Sequence, residues 1–591
     1  MKKYVLKNWW RYLIGGLSLI ASTAIDVSVP LIVMSLIDVV IVGQDMTQLP
    51  KHLMLLGGAA LSRAIVQYVK EYLCDMAGCN VAEDLRKDLI EHIMKLSKSY
   101  FNENNTGELM ARVKDDAGRV WDLFGFVGML MTEAILYFVF VVICMVKLNW
   151  KLSLIPLAFI PLLAWRVMNL SKKLDRTYGM ISEENAALTR VAEENISGVR
   201  TVKAFSAEEY ELEKFDEKNS KYNDINIEQA LDLAKAEPVL HTIPKIMQGT
   251  VIVVGGIAAI NGKITYGVLV AFMQYAGNIV WPIENMGWML SCISAGFAGL
   301  KKIKKIFKAV PEIKECDNPV KLGGIGETIE FSHVGFRLND NTILNDISFK
   351  LEKGRTLGIM GATGTGKSTI VNLIERYYDV TEGEIRIDGV NIKDMYLEQL
   401  RGFSSVVTQD VFLFSDTIKE NVKLGHKATM EDSDVRYALR KAHAQEFVDK
   451  ITGGYNAVIG ERGIGLSGGQ KQRLSIARAL ARQSGVLILD DSTSALDMET
   501  ESDIQKEIRE KKDMSKIIIG HRISSVKDAD EIIVLENGTI AERGTHAELI
   551  AKKGLYFGTY EAQYGSLTEA MKVMKLNDPG ESDFAIAGGE A

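Results

Sequence analysis

Thr356-Leu357-Gly358-Ile359-Met360-Gly361-Ala362-Thr363-Gly364-Thr365-Gly366-Lys367-Ser368-Thr369 decides the fold of the second half of this chain. Its first five residues form a short apolar run of buried-strand type. A glycine-rich loop follows, and Ile370–Ile374 then resumes an apolar helical pattern. Strand, loop and helix in that order are the setting in which G-x-x-x-x-G-K-[ST] grips phosphate. Gly361, Gly364 and Gly366, with Ala362, Thr363 and Thr365 between them, allow the backbone N–H groups to turn inward around phosphate oxygens. Thr369 continues into the helix, whose N-terminal dipole favours the anion. Lys367 supplies a point charge for the β- and γ-phosphates, and the Ser368 hydroxyl suits Mg²⁺.

Downstream, Val486-Leu487-Ile488-Leu489 reads as a second buried strand that ends on Asp490, with Asp491 next. Mg²⁺ takes hard oxygen ligands, so a strand-end Asp beside the loop is the expected metal anchor. Between the two strands lies Leu466-Ser467-Gly468-Gly469-Gln470, leading into a helix over Lys471–Ala481. Ser-Gly-Gly at a helix start offers bare N–H groups, a hydroxyl and a positive helix end. Alone, that pentapeptide would read as an ordinary helix cap.

Together these segments resemble the ATP-binding cassette family. Gln409 stands where the family has its glutamine loop, Ser494-Ala495-Leu496-Asp497 is similar to the D-loop, and His521 in Gly520-His521-Arg522 is similar to the switch histidine. The resemblance implies ATP and Mg²⁺ as ligands, with Ser368, Gln409 and Asp490 around the metal. It also implies Asp491, His521 and Gln409 as the catalytic set. In the family two cassettes meet head to tail, so Ser467, Gly468, Gly469 and Gln470 serve the ATP held by a second subunit's phosphate loop.

The first half of the chain has a different character. Six apolar stretches, near Leu13–Ile41, Leu53–Tyr72, Leu123–Val146, Leu152–Val167, Ile243–Ile260 and Val268–Phe297, approach the ~20 residues a helix needs to span a bilayer. The second is the weakest, since it carries Arg63, Gln67 and Lys70. Short loops join spans 1–2, 3–4 and 5–6, whereas long polar helical connections separate 2–3 and 4–5. Spans should therefore run on into water as extended helices. Lys2, Lys3, Lys7 and Arg11 before the first span, and Arg86, Lys87, Lys95, Lys98, Arg112, Lys114 and Arg119 after the second, place both termini on the cytoplasmic side. Lys7–Tyr12, basic and aromatic, suits a helix lying on that surface. No short apolar core with a small-residue cleavage site opens the chain, so a removable leader is not expected.

The expected architecture is thus an all-α six-helix transmembrane domain over residues 1–309 with long cytoplasmic helical extensions. A linker (310–326), an α/β phosphate-loop ATPase domain (327–561) and a partly disordered C-terminal extension (562–591) follow. The whole resembles an exporter-type half-transporter. That resemblance implies coupling helices near Asn105–Arg112 and Ala204–Glu209. Composition agrees with this plan: 591 residues allow several domains, and 69 Lys+Arg against 76 Asp+Glu (net −7) argue against a nucleic-acid partner. Five scattered Cys form no disulfide framework or metal spacing.

Charges inside the spans need partners or water. Asp26, Glu133 and Glu284 would make an acidic cavity for a cationic substrate, unless Arg63 pairs with one of them. Two motor positions depart from the family pattern. Asp491 stands where the family has Glu to polarise the attacking water, one methylene short of reach. Leu338 in Val334-Gly335-Phe336-Arg337-Leu338-Asn339 stands where an aromatic stacks on adenine, and strand alternation turns Phe336 away. Residue 491 predicts a slow site, and with the intact signature it predicts a heterodimer whose partner brings the competent Glu, a homodimer being the alternative. The expected activity is ATP-driven export of an amphipathic drug or lipid across the plasma membrane. An ATP-gated regulatory or channel-like protein, or an importer on the exporter fold, are the other readings.

Overall fold

The structure, a computed structural model, describes residues 1–323, 328–339, 341–424, 430–460, 463–482 and 484–565. The expected C-terminal extension therefore lies almost wholly outside the described residues, as does the end of the expected linker. The chain divides into two compact units, Met1–Leu96 with Glu103–Val310, and Ser97–Asn102 with Pro311–Ala591.

The first unit is helical throughout. Its long elements are Trp9–Ser35, Leu49–Met94, Phe126–Ser197, Glu208–Ile260, Tyr266–Asn278 and Val280–Lys308. Among the described residues, the segments Trp9–Val42, Thr106–Ser197 and Glu208–Ile260 are long and apolar enough to cross a membrane. They contain expected spans 1, 3, 4 and 5. The second span is helical but diluted by Arg63 and Lys70, and the sixth is interrupted at Ile279. Leu13, Leu17, Val253, Ile257 and Ile260 are exposed, as side chains facing lipid would be.

Length confirms that helices outrun the bilayer. At ~1.5 Å per residue, a 53-residue helix is about 80 Å long, against a hydrocarbon core of ~30 Å. The 72-residue path Phe126–Ser197 is no single rod, because Asn149 has φ −161°, ψ 105°. Its Oδ1 accepts the Leu152 N–H at 3.0 Å, so Asn149 caps the second arm and turns the path into a hairpin between spans 3 and 4. Gly78 meets Gly125 so closely that a Cβ on Gly78 would lie 2.6 Å from the Gly125 Cα. At the N-terminus, Lys7 Nζ bonds both oxygens of Asp84, at 2.9 and 2.8 Å, and Tyr4 and Lys3 reach Asp88.

The second unit carries two sheets. An antiparallel sheet runs β2 (Asn341–Leu351), β1 (Ile329–Leu338), β4 (Glu382–Ile387), β5 (Val390–Asn391). A six-stranded sheet runs β10 (Thr539–Gly544), β9 (Glu531–Glu536), β3 (Thr356–Gly361), β8 (Ser515–Ile519), β7 (Val486–Asp490), β6 (Ser404–Val407). Strands β9, β3, β8, β7 and β6 are mutually parallel. All five residues of β7 are buried, which explains its unbroken apolar sequence. Ser97–Asn102 groups with this unit, just ahead of the expected coupling tip at Asn105–Arg112. Within the unit Lys98 Nζ bonds Asn372 Oδ1 at 2.8 Å, and Asn102 Nδ2 bonds the Tyr378 hydroxyl at 3.0 Å.

Candidate functional site

In a parallel sheet the carboxyl ends of the strands form a natural ligand crevice. Here four adjacent strands deliver the candidate residues to that edge. β3 leads into Gly361–Ser368, β8 into Gly520-His521, β7 ends on Asp490, and Gln409 lies just beyond β6. The register holds them level: Ile359 pairs with Ile519, and Ile519 with Asp490. Residues separated by more than a hundred positions in sequence thus share one edge.

The loop itself needs its glycines. Gly364 and Gly366 have φ +86° and +95°, and a Cβ on Gly366 would lie 2.5 Å from Leu344 Cδ2. The helix Lys367–Ile374 starts directly from Gly366, so its first N–H groups face the loop. Lys367 is buried and donates to the Gly361 and Ala362 carbonyls at 2.9 and 2.7 Å. Burial pushes its pKa down, and Asp490 and Asp491 pull it back up.

Asp490 is buried, which raises its pKa, while a hydrogen bond from Ser368 lowers it. The Asp491 charge raises it further, and Lys367 and His521 counter that. Hydroxyl and carboxylate therefore lie side by side. The donor set fits Mg²⁺, which takes one or two protein oxygens and fills its octahedron with water and phosphate. No cluster of three or more His, Cys, Asp or Glu able to hold a metal ion occurs among the described residues. Asp491 is half-buried at φ +45°, its N–H bonded to the Ile519 carbonyl at 2.9 Å. Gln409 is exposed.

The Ser467–Gln470 signature is a reciprocal helix cap. Ser467 Oγ accepts the Gln470 N–H at 3.3 Å, and Gln470 Oε1 accepts the Ser467 N–H at 2.9 Å. The helix Gly468–Ala481 then clasps the D-loop: Gln472 Oε1 accepts the Ala495 N–H at 3.0 Å and Gln472 Nε2 reaches Ser494 Oγ at 3.3 Å.

Three linking residues escaped the sequence reading. Gln472 is one. Buried Glu501 accepts from Thr493 Oγ1 at 2.8 Å, Ser525 Oγ at 3.1 Å and Arg522 Nη1 at 3.3 Å, tying the D-loop to the segment after His521. Gln563 donates to the His521 carbonyl at 2.7 Å and accepts the Ile523 N–H at 2.9 Å. An S/T-x-x-Q cap signals Gln470 in sequence, but nothing local marks Glu501 or Gln563.

Phe336 is buried against Tyr378, ring centroids 5.4 Å apart, so it does not replace the missing aromatic at Leu338.

In the helical unit two acids of the expected cavity are ion-paired, while Glu71, hydrogen-bonded by Gln67 at 3.0 Å, adds a third carboxylate to the lining. Asp26 and Glu133 line one cavity of about 590 Å³, without Glu284. Arg63 pairs with Asp26 at 2.5 Å, and Lys70 with Glu133 at 2.9 Å. The sequence reading weighed Arg63 as a partner but overlooked Lys70, which turns inward instead of merely weakening its span.

Two family models match: an ABC transporter transmembrane region over residues 12–283 and an ABC transporter domain over 344–494. The chain is similar to an uncharacterized ABC transporter ATP-binding protein of Bacillus subtilis, 34% identical over 93% of this chain and 96% of the relative. A putative multidrug export ATP-binding/permease protein of Staphylococcus aureus is 35% identical over 91% and 95%. An ATP-dependent lipid A-core flippase of Syntrophus aciditrophicus is 34% identical over 84% and 83%. Among solved structures, a bacterial Atm1-family ABC exporter with ATP bound superposes with a TM-score of 0.77 at 25% identity, covering 95% of this chain and 98% of that one. A helical membrane unit fused to a phosphate-loop sheet, matched along nearly its whole length, makes this chain an ABC exporter half-transporter, a membrane-embedded subunit that couples ATP hydrolysis to transport as part of a dimer.

Proposed function

We propose that the chain exports an amphipathic compound across the plasma membrane as one half of a heterodimer, with an impaired ATP site of its own and a working signature that serves its partner's ATP. Its cassette and both termini lie in the cytoplasm, following the basic residues that flank the first two spans. The names of the relatives, multidrug export and lipid A-core flippase, support an amphipathic cargo.

The observation that carries the reading is the pairing of Asp491 with an intact Ser467–Gln470 cap. Asp491 starts from a Cα held by a bond to Ile519 at the end of a buried strand, so the backbone cannot advance to offset its short side chain. Gln409, Ser368 and Asp490 would hold Mg²⁺, which supplies charge neutralisation on the phosphates, and His521 would contact the γ-phosphate. ATP binding would close the cassettes and open the membrane half outward, and hydrolysis at the partner's competent site would reset it. Reconstituting the chain alone and with a co-encoded half-transporter tests this. Drug-stimulated, vanadate-sensitive turnover only in the mixed complex is the expected result. Equal brisk turnover by the chain alone would overturn the heterodimer.

A further inference from the structure

A second cavity of the helical unit, about 480 Å³ in volume, shares no residue with the one that holds Asp26 and Glu133. It lies between the Asn149 hairpin and the end of the helix Glu208–Ile260. Leu152, Val254 and Ala258 give it an apolar wall. Lys147, Lys151 and Lys263, all exposed, line it as well. Among the described residues no Asp or Glu joins that lining. The sequence around it supplies none either, since residues 143–155 and 258–268 contain no acid.

With both termini in the cytoplasm, the short connections between spans 3 and 4 and between spans 5 and 6 lie on the outer side. Lys and Arg ordinarily concentrate in the cytoplasmic loops instead. Here every basic residue of these two outer connections converges on one cavity. Three ammonium groups around one space repel one another, and an anion seated between them relieves that repulsion. Each ammonium is a compact charge with three donors, well suited to phosphate oxygens.

A free phosphate would gain little from exposed, hydrated lysines. A lipid gains more, because the apolar wall takes its chain. Val253 and Ile257, neighbours of that wall in sequence, are exposed as lipid-facing side chains would be. Trp150 also lines the cavity and is exposed, with Lys151 Nζ 5.7 Å from its ring centroid. Trp at a span end marks headgroup depth, and Lys stems lie along apolar surface while their charges reach water.

We propose that this cavity seats an anionic phospholipid of the outer leaflet, its phosphodiester between Lys147, Lys151 and Lys263 and the start of its acyl chains along Leu152, Val254 and Ala258. The site is separate from the cavity of Asp26 and Glu133, and it rests on the orientation proposed above.

The test titrates phosphatidylglycerol into the full-length protein in mild detergent and counts retained lipid by native mass spectrometry. A lysine beside an anionic headgroup contributes about fivefold in affinity. Lys147→Gln, Lys151→Gln and Lys263→Gln should each weaken binding about fivefold, and the triple variant about a hundredfold, to the level of phosphatidylcholine. Lys263→Arg keeps the charge and should keep the affinity. Ala258→Trp fills the space, leaves all three lysines in place and should also weaken binding. Phosphatidylcholine held as tightly as phosphatidylglycerol, or undiminished binding in the triple variant or in Ala258→Trp, would overturn the proposal. So would glycerol 3-phosphate that displaces the lipid at equal concentration, which would make the ligand a soluble anion. Orientation is tested separately, by treating intact cells that carry Lys263→Cys with a membrane-impermeant maleimide. Labelling above that of the parent chain supports the outer-leaflet source. Labelling only after lysis overturns the orientation and that source with it, whereas the titration in detergent, which has no sidedness, still decides whether the cavity binds anionic lipid.

Discussion

Replacing Asp491 with Glu isolates the reach of one side chain. The Cα of residue 491 follows five buried strand residues, and its N–H is anchored to Ile519 at 2.9 Å, so the added methylene is spent on reach alone. It advances the carboxylate by ~1.5 Å. A general base works within ~3.2 Å of its proton, and a misplacement of order 1 Å costs about 100-fold. Glu at φ +45° is less comfortable than Asp, a stability cost of roughly 1 kcal/mol that leaves the chemical step untouched. The expected outcome is a rise in kcat of about 100-fold at this chain's own site, with the KM for ATP nearly constant, the mark of an interaction gained in the transition state. Phosphate release from the reconstituted complex measures it, with the partner's own catalytic carboxylate replaced so that only this site turns over. No gain would refute the reasoning from reach. So would a wild-type site that already turns over at ~10 per second, an ordinary rate for enzymes.

Buried Glu375, which accepts a bond from Ser404, has its pKa raised by burial from 4.5 to about 7. Folding therefore favours its protonated form, and the cassette loses stability as pH rises from 4.5 through about 7, by about 3 kcal/mol in all. Glu375→Gln should raise the cassette's unfolding midpoint by roughly 5–10 °C at pH 8 and by much less at pH 5, read by calorimetry. In the Asp491→Glu background, with the partner's catalytic carboxylate replaced so that only this site turns over, Gln563→Ala should lower kcat about tenfold with the KM for ATP unchanged, by releasing the His521 carbonyl. Gln563→Glu keeps the bond from Ile523 and should lose less, whereas a purely structural role would lower Tm and move KM with kcat. Leu338→Tyr should tighten ATP about tenfold and sharpen preference for adenine, because base stacking on an aromatic contributes ~1–3 kcal/mol; nucleotide titration followed by fluorescence checks it.

The motor was legible wherever its chemistry is local. Gly361–Ser368 and Ser467–Gln470 each form within a few residues, so turn and cap chemistry determine them. Asp490 was legible because β7 is buried on both faces and reads as an apolar run. Lys70 was not, since its role depends on meeting Glu133 across a helix interface, and in sequence it merely diluted a span. Glu501 and Gln563 were hidden for the same reason: each works on the segment beside His521, and no periodicity records that. The hairpin at Asn149 was partly readable. Short spacing between spans 3 and 4 required a turn, but only the structure shows that the Asn side chain caps the second arm.

The placement of β8 between β3 and β7 has a consequence for biosynthesis. The phosphate loop emerges from the ribosome long before the strand that must wedge beside it, and Asp490 cannot settle against Ser368 until residues 515–519 have been made and inserted. Such distant pairing forms late and slowly. A nascent subunit can thus begin inserting its membrane helices while its cassette still lacks an assembled nucleotide pocket, so no cycle of the motor can start on a half-made transporter.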